Sequence, residues 1–185
     1  MEKKIKILGI AGSLRKQSYN RGLLQAALET LPLNCSLEIF DLASIPLYNQ
    51  DEETHLPQAV SLLKQKVRAA DALLIATPEY NYSIPGVLKN ALDWGSRPYG
   101  DNAWDNKPVA IMGASPGMLG TARAQYHLRQ VFVTLNMYPL NRPEIMVSSA
   151  QEKFDAAGKL TDPKTRQKIG ELLTALIAHV NRFLK

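Results

Sequence analysis

Cysteine is almost missing from this 185-residue chain: Cys35 stands alone, so no intramolecular disulfide can form and a reducing cytoplasm is the expected compartment. The three histidines fall in no H-x-x-x-H, H-E-x-x-H or mixed Cys/His cluster, and no metal site is expected. No apolar run approaches the ~20 residues of a membrane span. Glu2-Lys3-Lys4 leads straight into a strand, so neither a signal peptide nor a membrane partner is expected. Charge is only mildly basic, Lys+Arg 22 against Asp+Glu 17 for a net +5. That balance suits small anions. With no aromatic-studded basic stripe, it gives no reason to expect nucleic acid. Neither G-x-G-x-x-G nor a Walker Gly-Lys-Ser/Thr occurs, which argues against a Rossmann dinucleotide site and a P-loop NTPase.

What is present is one domain's worth of chain, 1–185, with 45% hydrophobic residues in alternating strand and helix patterns. Ile5–Ile10, Ala72–Thr77 and Val109–Ala114 are continuous apolar runs, as strands covered on both faces should be. Ser36–Leu42 reads as a further strand, and Tyr138–Val147 as a fifth, broken by Pro139 and Pro143 and so placed at an edge. Between them lie helical stripes: Leu24, Ala27, Leu28 and Leu31; Leu56, Val60, Leu63 and Val67; Leu88, Ala91 and Leu92; Ala124, Leu128, Val131, Phe132 and Leu135. Asp162-Pro163 caps a last helix whose stripe runs from Ile169 to Phe183. Five strands alternating with five helices predict an open, parallel α/β sheet, flavodoxin-like in the order 2-1-3-4-5, with helices on both faces.

In that order the switch point falls between the first and third strands, and ligands lie outside the carboxyl ends there. The chemically loaded loops follow those strands. Gly12-Ser13-Leu14-Arg15-Lys16-Gln17-Ser18-Tyr19-Asn20 opens the first helix, whose free N–H groups and dipole favour a phosphate. Ser13, Ser18 and Asn20 can add hydrogen bonds and Arg15 a charge-assisted one. The same residues also fit a plain polar loop with Ser18 as the helix N-cap. Pro78-Glu79-Tyr80-Asn81-Tyr82-Ser83 offers backbone N–H groups and Tyr80 to a planar ring, and Ser115–Gly120 supplies Gly117 and Gly120 for close main-chain approach. A flat, redox-active nucleotide suits these three loops together, with the cofactor doing the hydride chemistry.

Four segments carry a resemblance. They are the first loop; Pro78 to Gly86; Leu88-Lys89-Asn90-Ala91-Leu92-Asp93-Trp94; and Arg123-Ala124-Gln125-Tyr126-His127-Leu128-Arg129. In this order they resemble the NADPH-dependent FMN reductase family, in its bacterial quinone, chromate and azo-dye reductase branch. The resemblance implies FMN phosphate held by Ser13, Arg15, Ser18, Tyr19 and Asn20. It places Pro78, Glu79, Tyr80 and Asn81 along the isoalloxazine and Ser115 and Gly117 on the other side. No side chain is expected to be a covalent catalyst. A hydride would pass from NADPH or NADH to FMN, and electrons onward to quinones, free flavin, azo compounds or metal oxyanions such as chromate. A homodimer or a homotetramer built as a dimer of dimers is implied, with Trp94, Arg97 and Arg123 as interface candidates; single aromatic or arginine positions equally fit ordinary surface or packing roles. The alternative is a flavodoxin-type electron carrier without NAD(P)H turnover; carriers of that type are usually acidic, and their phosphate loop is richer in threonine. A sensor or scaffold that keeps the fold without turnover is the third reading.

Overall fold

The computed structural model describes residues 4–183; Glu2-Lys3 of the expected leader-free start lies outside the described residues. The sheet is parallel throughout. Its strands are β1 (Ile5–Ala11), β2 (Cys35–Phe40), β3 (Ala72–Ala76), β4 (Pro108–Ala114), β5 (Tyr138–Pro139) and β6 (Ile145–Val147). The order is β2-β1-β3-β4-β5, with β6 also on β4. The expected broken fifth strand is thus two short pieces beside one neighbour: β5 pairs at Pro108 and Val109, β6 at Met112 to Ala114. The prolines keep the segment between them out of the ladder.

Among the described residues five α-helices cover the sheet: α1 (Tyr19–Glu29), α2 (Gln58–Ala69), α3 (Gly86–Gly95), α4 (Ala122–Thr134) and α5 (Pro163–Val180). The two-residue alternation of each strand sends Ile7, Leu74 and Ala76 to a core under α1 and α5. Leu8, Ile10, Leu73 and Ile75 face a second core under α2, α3 and α4. Four expected inward positions shift. Leu28 is exposed while Leu23 is buried, so the stripe of α1 turns by about one residue. Val131 is only partly buried against the core, Leu56 precedes α2, and Phe183 lies beyond the end of α5. There Phe183 stacks flat on Tyr138, with ring centroids 4.5 Å apart. Cys35 begins β2 at the end of the sheet opposite the loaded loops, and burial pushes its thiol up from the ordinary value. No helix among the described residues is long and apolar enough to cross a membrane.

The cap of α5 makes a first test. Asp162 accepts from the Thr165 hydroxyl at 2.6 Å and the Thr165 N–H at 2.8 Å, with Pro163 in the first turn. The hydroxyl bond leads in holding this carboxyl below its ordinary range, against burial. A depressed pKa gives stability that is complete above the ordinary value of about 3.9 and is lost as pH falls through the folded value. Asp162→Ala is expected to cost about 0.5–2 kcal/mol near neutral pH. The gap from the parent should narrow below about pH 4. Denaturant melts at both ends of that range check it, and a gap undiminished in acid would contradict the cap's ionised role.

Candidate active site

Three loops meet at the carboxyl ends of β1, β3 and β4, on either side of the switch point between β1 and β3. The first leaves β1 at Gly12, whose N–H donates to Ala76 O at 2.8 Å and so extends the ladder by one rung. A β carbon on Gly12 would lie 3.2 Å from Thr77 Oγ1 and 3.3 Å from the Pro78 ring, tight enough that glycine sets the spacing of the first two loops. Ser13, buried, accepts from Arg15 N at 3.3 Å and lies 3.5 Å from the Tyr80 phenol. Ser18 N donates to Arg15 O at 3.1 Å, closing a turn, and Ser18 Oγ caps α1 by accepting from Asn20 N at 3.2 Å. Arg15 is exposed, its guanidinium 4.8 Å over the Tyr19 ring, which in turn packs on Phe154 at 4.9 Å. Among the described residues the N–H groups of Leu14, Lys16, Gln17 and Tyr19 have no protein acceptor. A run of unspent donors at a helix N-terminus, with a serine hydroxyl on either side and an exposed cation above, fits a dianionic phosphate.

Asn20 behaves differently from its expected role. Its amide is already used: Nδ2 donates to Ala114 O at 3.0 Å and Oδ1 accepts from Ala114 N at 2.9 Å. β3 ends level with Met112, so Ala114 has no strand neighbour on that side, and Asn20 supplies the two missing hydrogen bonds. The side chain therefore ties the start of α1 to the end of β4.

The second loop is a tight hairpin. Tyr80 and Ser83 exchange both backbone hydrogen bonds at 3.0 Å, across Asn81 and Tyr82 at φ 49° and 68°. Two successive positive φ values make the primed type of turn. Asparagine tolerates that conformation, whereas it strains tyrosine. Something must hold it, and Glu79 and Arg123 do. The Glu79 carboxylate accepts from the N–H groups of Arg123 at 3.1 Å and Ala124 at 3.3 Å, and from the Arg123 guanidinium. The guanidinium lies 3.5 Å over the Tyr82 ring. Thr121, the N-cap of α4, makes no side-chain cap, so Glu79 supplies it from another loop and complements the dipole. The carboxylate's hydrogen bond pushes Arg123 up from its ordinary value. Glu79 stands in the second loop with its charge facing α4. Ser83 Oγ lies 2.9 Å from His127 Nδ1.

The third loop rises from Ser115, whose N–H donates to Val147 O at 3.0 Å and whose hydroxyl donates to Gly120 O. Gly120 sits at φ 62° with its α carbon against Met146. A β carbon on Gly117 would meet only Ser115 Oγ, at 3.8 Å, and Pro116 to Leu119 are exposed. Gly113-Ala114-Ser115-Pro116-Gly117 has the spacing of a hydrolase nucleophile elbow. No base activates it: His127 pairs with Ser83, His179 with Tyr138 O and His55 with Thr54, while the Ser115 hydroxyl is spent on Gly120.

One interface candidate resolves differently. Trp94 is fully buried, its indole N–H donating to Pro46 O at 2.9 Å, so it is a core residue and not a surface anchor. Arg123 is committed to Glu79. Arg97, its side chain 22% exposed against 37% for Arg123, lies 3.9 Å over the ring of exposed Tyr99.

The fold and its three loops therefore define a flavodoxin-like protein with an anion-binding crevice at its switch point; no group of three metal-ligating side chains occurs among the described residues. Comparison with known proteins agrees. Residues 5–152 match the sequence profile described as NADPH-dependent FMN reductase, and the chain belongs to that family. It is an oxidoreductase with FMN as cofactor and NAD(P)H as hydride donor. It is 55% identical over 183 residues to an NAD(P)H-dependent FMN reductase of Pseudomonas aeruginosa, covering 98% of each chain. It is 42% identical to a 2-hydroxy-1,4-benzoquinone reductase of a Burkholderia species, covering 95% of this chain and 96% of that one. Among solved structures it resembles FerB, a flavoenzyme NAD(P)H:(acceptor) oxidoreductase from Paracoccus denitrificans, with a TM-score of 0.88 and 34% identity; 96% of this chain and 98% of that chain are covered.

Proposed function

We propose that the protein reduces quinones at the expense of NADPH or NADH, with free flavin, azo compounds and metal oxyanions such as chromate as further acceptors. The observation that carries this reading is the unspent donor run of the first loop, set against two other loops at the switch point. Bound FMN supplies the hydride chemistry of both half-reactions. Ser13, Ser18, Tyr19 N–H and Arg15 hold the phosphate, and Asn20 acts as the brace that keeps the loop in place. Pro78, Glu79, Tyr80 and Asn81 present main chain to the ring, with Ser115 and Gly117 opposite. Homologous quinone reductases support the quinone as acceptor. Exposed Tyr82, Met118, Leu119 and Tyr126 around and behind the crevice support a homodimer or dimer of dimers. A buried lone thiol suits a cytoplasmic location.

Protein loaded with FMN and desalted should keep a flavin spectrum that bleaches within seconds when NADPH is added anaerobically. A retained flavin that does not bleach would favour an electron carrier. Loss of the flavin on desalting would sink the phosphate assignment. Arg15→Ala should weaken FMN binding by roughly ten- to a hundredfold, the worth of one charge-assisted hydrogen bond. An Arg15→Ala protein that loses activity while holding FMN as tightly as the parent would contradict this role.

A further inference from the structure

A groove of about 370 Å³ begins where the first loop ends and runs along the outer side of α1. It is the size of a small-molecule cleft, which spans ~300–1,000 Å³. Lys16 and Ser18 belong both to the loop and to the groove. One wall is α1, with Arg21, Gln25 and Glu29; from Ser18 to Glu29 the helix rises about 16 Å. The other wall is the turn ending at Gly158 and Lys159. That turn is built, not loose. Asp155 Oδ1 accepts from Ala157 N at 2.9 Å and Lys159 N at 2.8 Å, and Asp155 N donates to Lys159 O at 2.9 Å. Gly158, at φ 82°, backs onto the main chain of Gln17, and a β carbon on Gly22 would lie 2.1 Å from Gly158 O. Two glycines thus let the turn, the first loop and α1 touch main chain to main chain, and the groove keeps its width.

Its charge is lopsided. Lys16, Arg21 and Lys159 face one carboxylate, Glu29. Arg21 is also held by Asp41 at 2.7 Å, and Glu29 is held by Arg166, with Lys159 at 3.9 Å. The remaining groups, the Gln25 amide and the Glu29 carboxylate, are donors and acceptors suited to an adenine amino group and ribose hydroxyls. FMN ends at its phosphate, beside Ser18, and reaches no further along the groove. In FAD the same phosphate is joined to adenosine 5′-phosphate, which adds a second phosphate one bond further out, then a ribose and a base.

We infer that this groove takes the adenylate arm of FAD, so that the protein binds FAD as well as FMN. The inference rests on the placement of the flavin phosphate in the Gly12–Ser18 loop. Lys16 meets the second phosphate, Lys159 flanks it from the turn, and the nucleoside lies along α1 toward Glu29.

Flavin-free protein titrated calorimetrically with FMN and with FAD tests this. FAD is expected to bind within about tenfold of FMN. Lys159→Glu is expected to weaken FAD by about tenfold while leaving FMN unchanged. Lys159 is 65% exposed, and FMN binding by the same variant reports that it folds. FMN binding with FAD more than a hundredfold weaker, or equal FAD binding by parent and variant, overturns the inference and leaves the phosphate loop standing. If Lys159→Glu instead raises the KM for NADPH and spares FAD, the groove serves the adenylate of the hydride donor and the inference is again overturned. Failure of both flavins to bind removes the phosphate-loop reading, and the inference with it.

Discussion

Gly113→Ala is expected to destabilise the protein by about 3 kcal/mol or more, the upper end of what overpacking a core position costs, and to abolish flavin retention. Gly113 lies in β4 one residue before the end of the strand, under the start of α4. A β carbon there would fall 2.0 Å from Thr121 Oγ1 and 2.5 Å from Thr77 O. Neither neighbour can retreat cheaply. Thr121 and Thr77 are fully buried, and Thr121 Oγ1 accepts from the Gln125 amide at 2.9 Å, which also donates to Ile145 O at 2.9 Å. Relief would push α4 away from β4 and move Glu79, its cap, with the hairpin of the second loop. The same chemical change at Gly170 should have the opposite sign. That glycine is inside α5 with nothing within 4 Å of an added carbon, so Gly170→Ala should stabilise by about 1 kcal/mol through helix propensity alone. Urea melts of the two variants, with FMN titration of each, check the pair. A Gly113→Ala protein within 0.5 kcal/mol of the parent, ~0.5 being the scatter of inert substitutions, would mean that α4 is free to shift.

Which of these features the sequence discloses depends on how far apart the partners are. β1, β3 and β4 are legible because strands covered on both faces must be apolar throughout, and the order follows from right-handed crossovers. The loops are legible as site material because their polar residues are contiguous. The fifth strand is not, since nothing local says that β5 and β6 would share one edge of β4 with the prolines looped out. Trp94 reads as a surface aromatic until the fold brings Pro46 O, 48 residues earlier, to its indole. The Glu79–Arg123 brace spans 44 residues and the Asn20–Ala114 bridge 94. A glutamate before a helix and an asparagine in a phosphate loop each have an ordinary local meaning. Only the sheet register shows that their groups are spent elsewhere.

Asn20→Ala is therefore expected to fail through the scaffold before it fails through the phosphate. The side chain is 2% exposed, and its loss leaves the N–H and C=O of Ala114 buried without partners, since β3 has already ended. Each buried group left unsatisfied costs about 1–3 kcal/mol, so a total of about 2–6 kcal/mol is expected. The flavin-free protein should show that cost in urea, where a residue that only held phosphate would show none. FMN affinity should fall as well, because α1 and the loop after β4 are no longer tied at the mouth of the crevice. The contrast with Arg15→Ala separates the two roles. Arg15 is exposed and bonds no buried group, so its loss should weaken FMN binding while leaving flavin-free stability within about 0.5 kcal/mol of the parent. If Asn20→Ala matched that pattern instead, binding lost and stability kept, the side chain would be a phosphate ligand and the bridge to Ala114 would give way when the cofactor arrives.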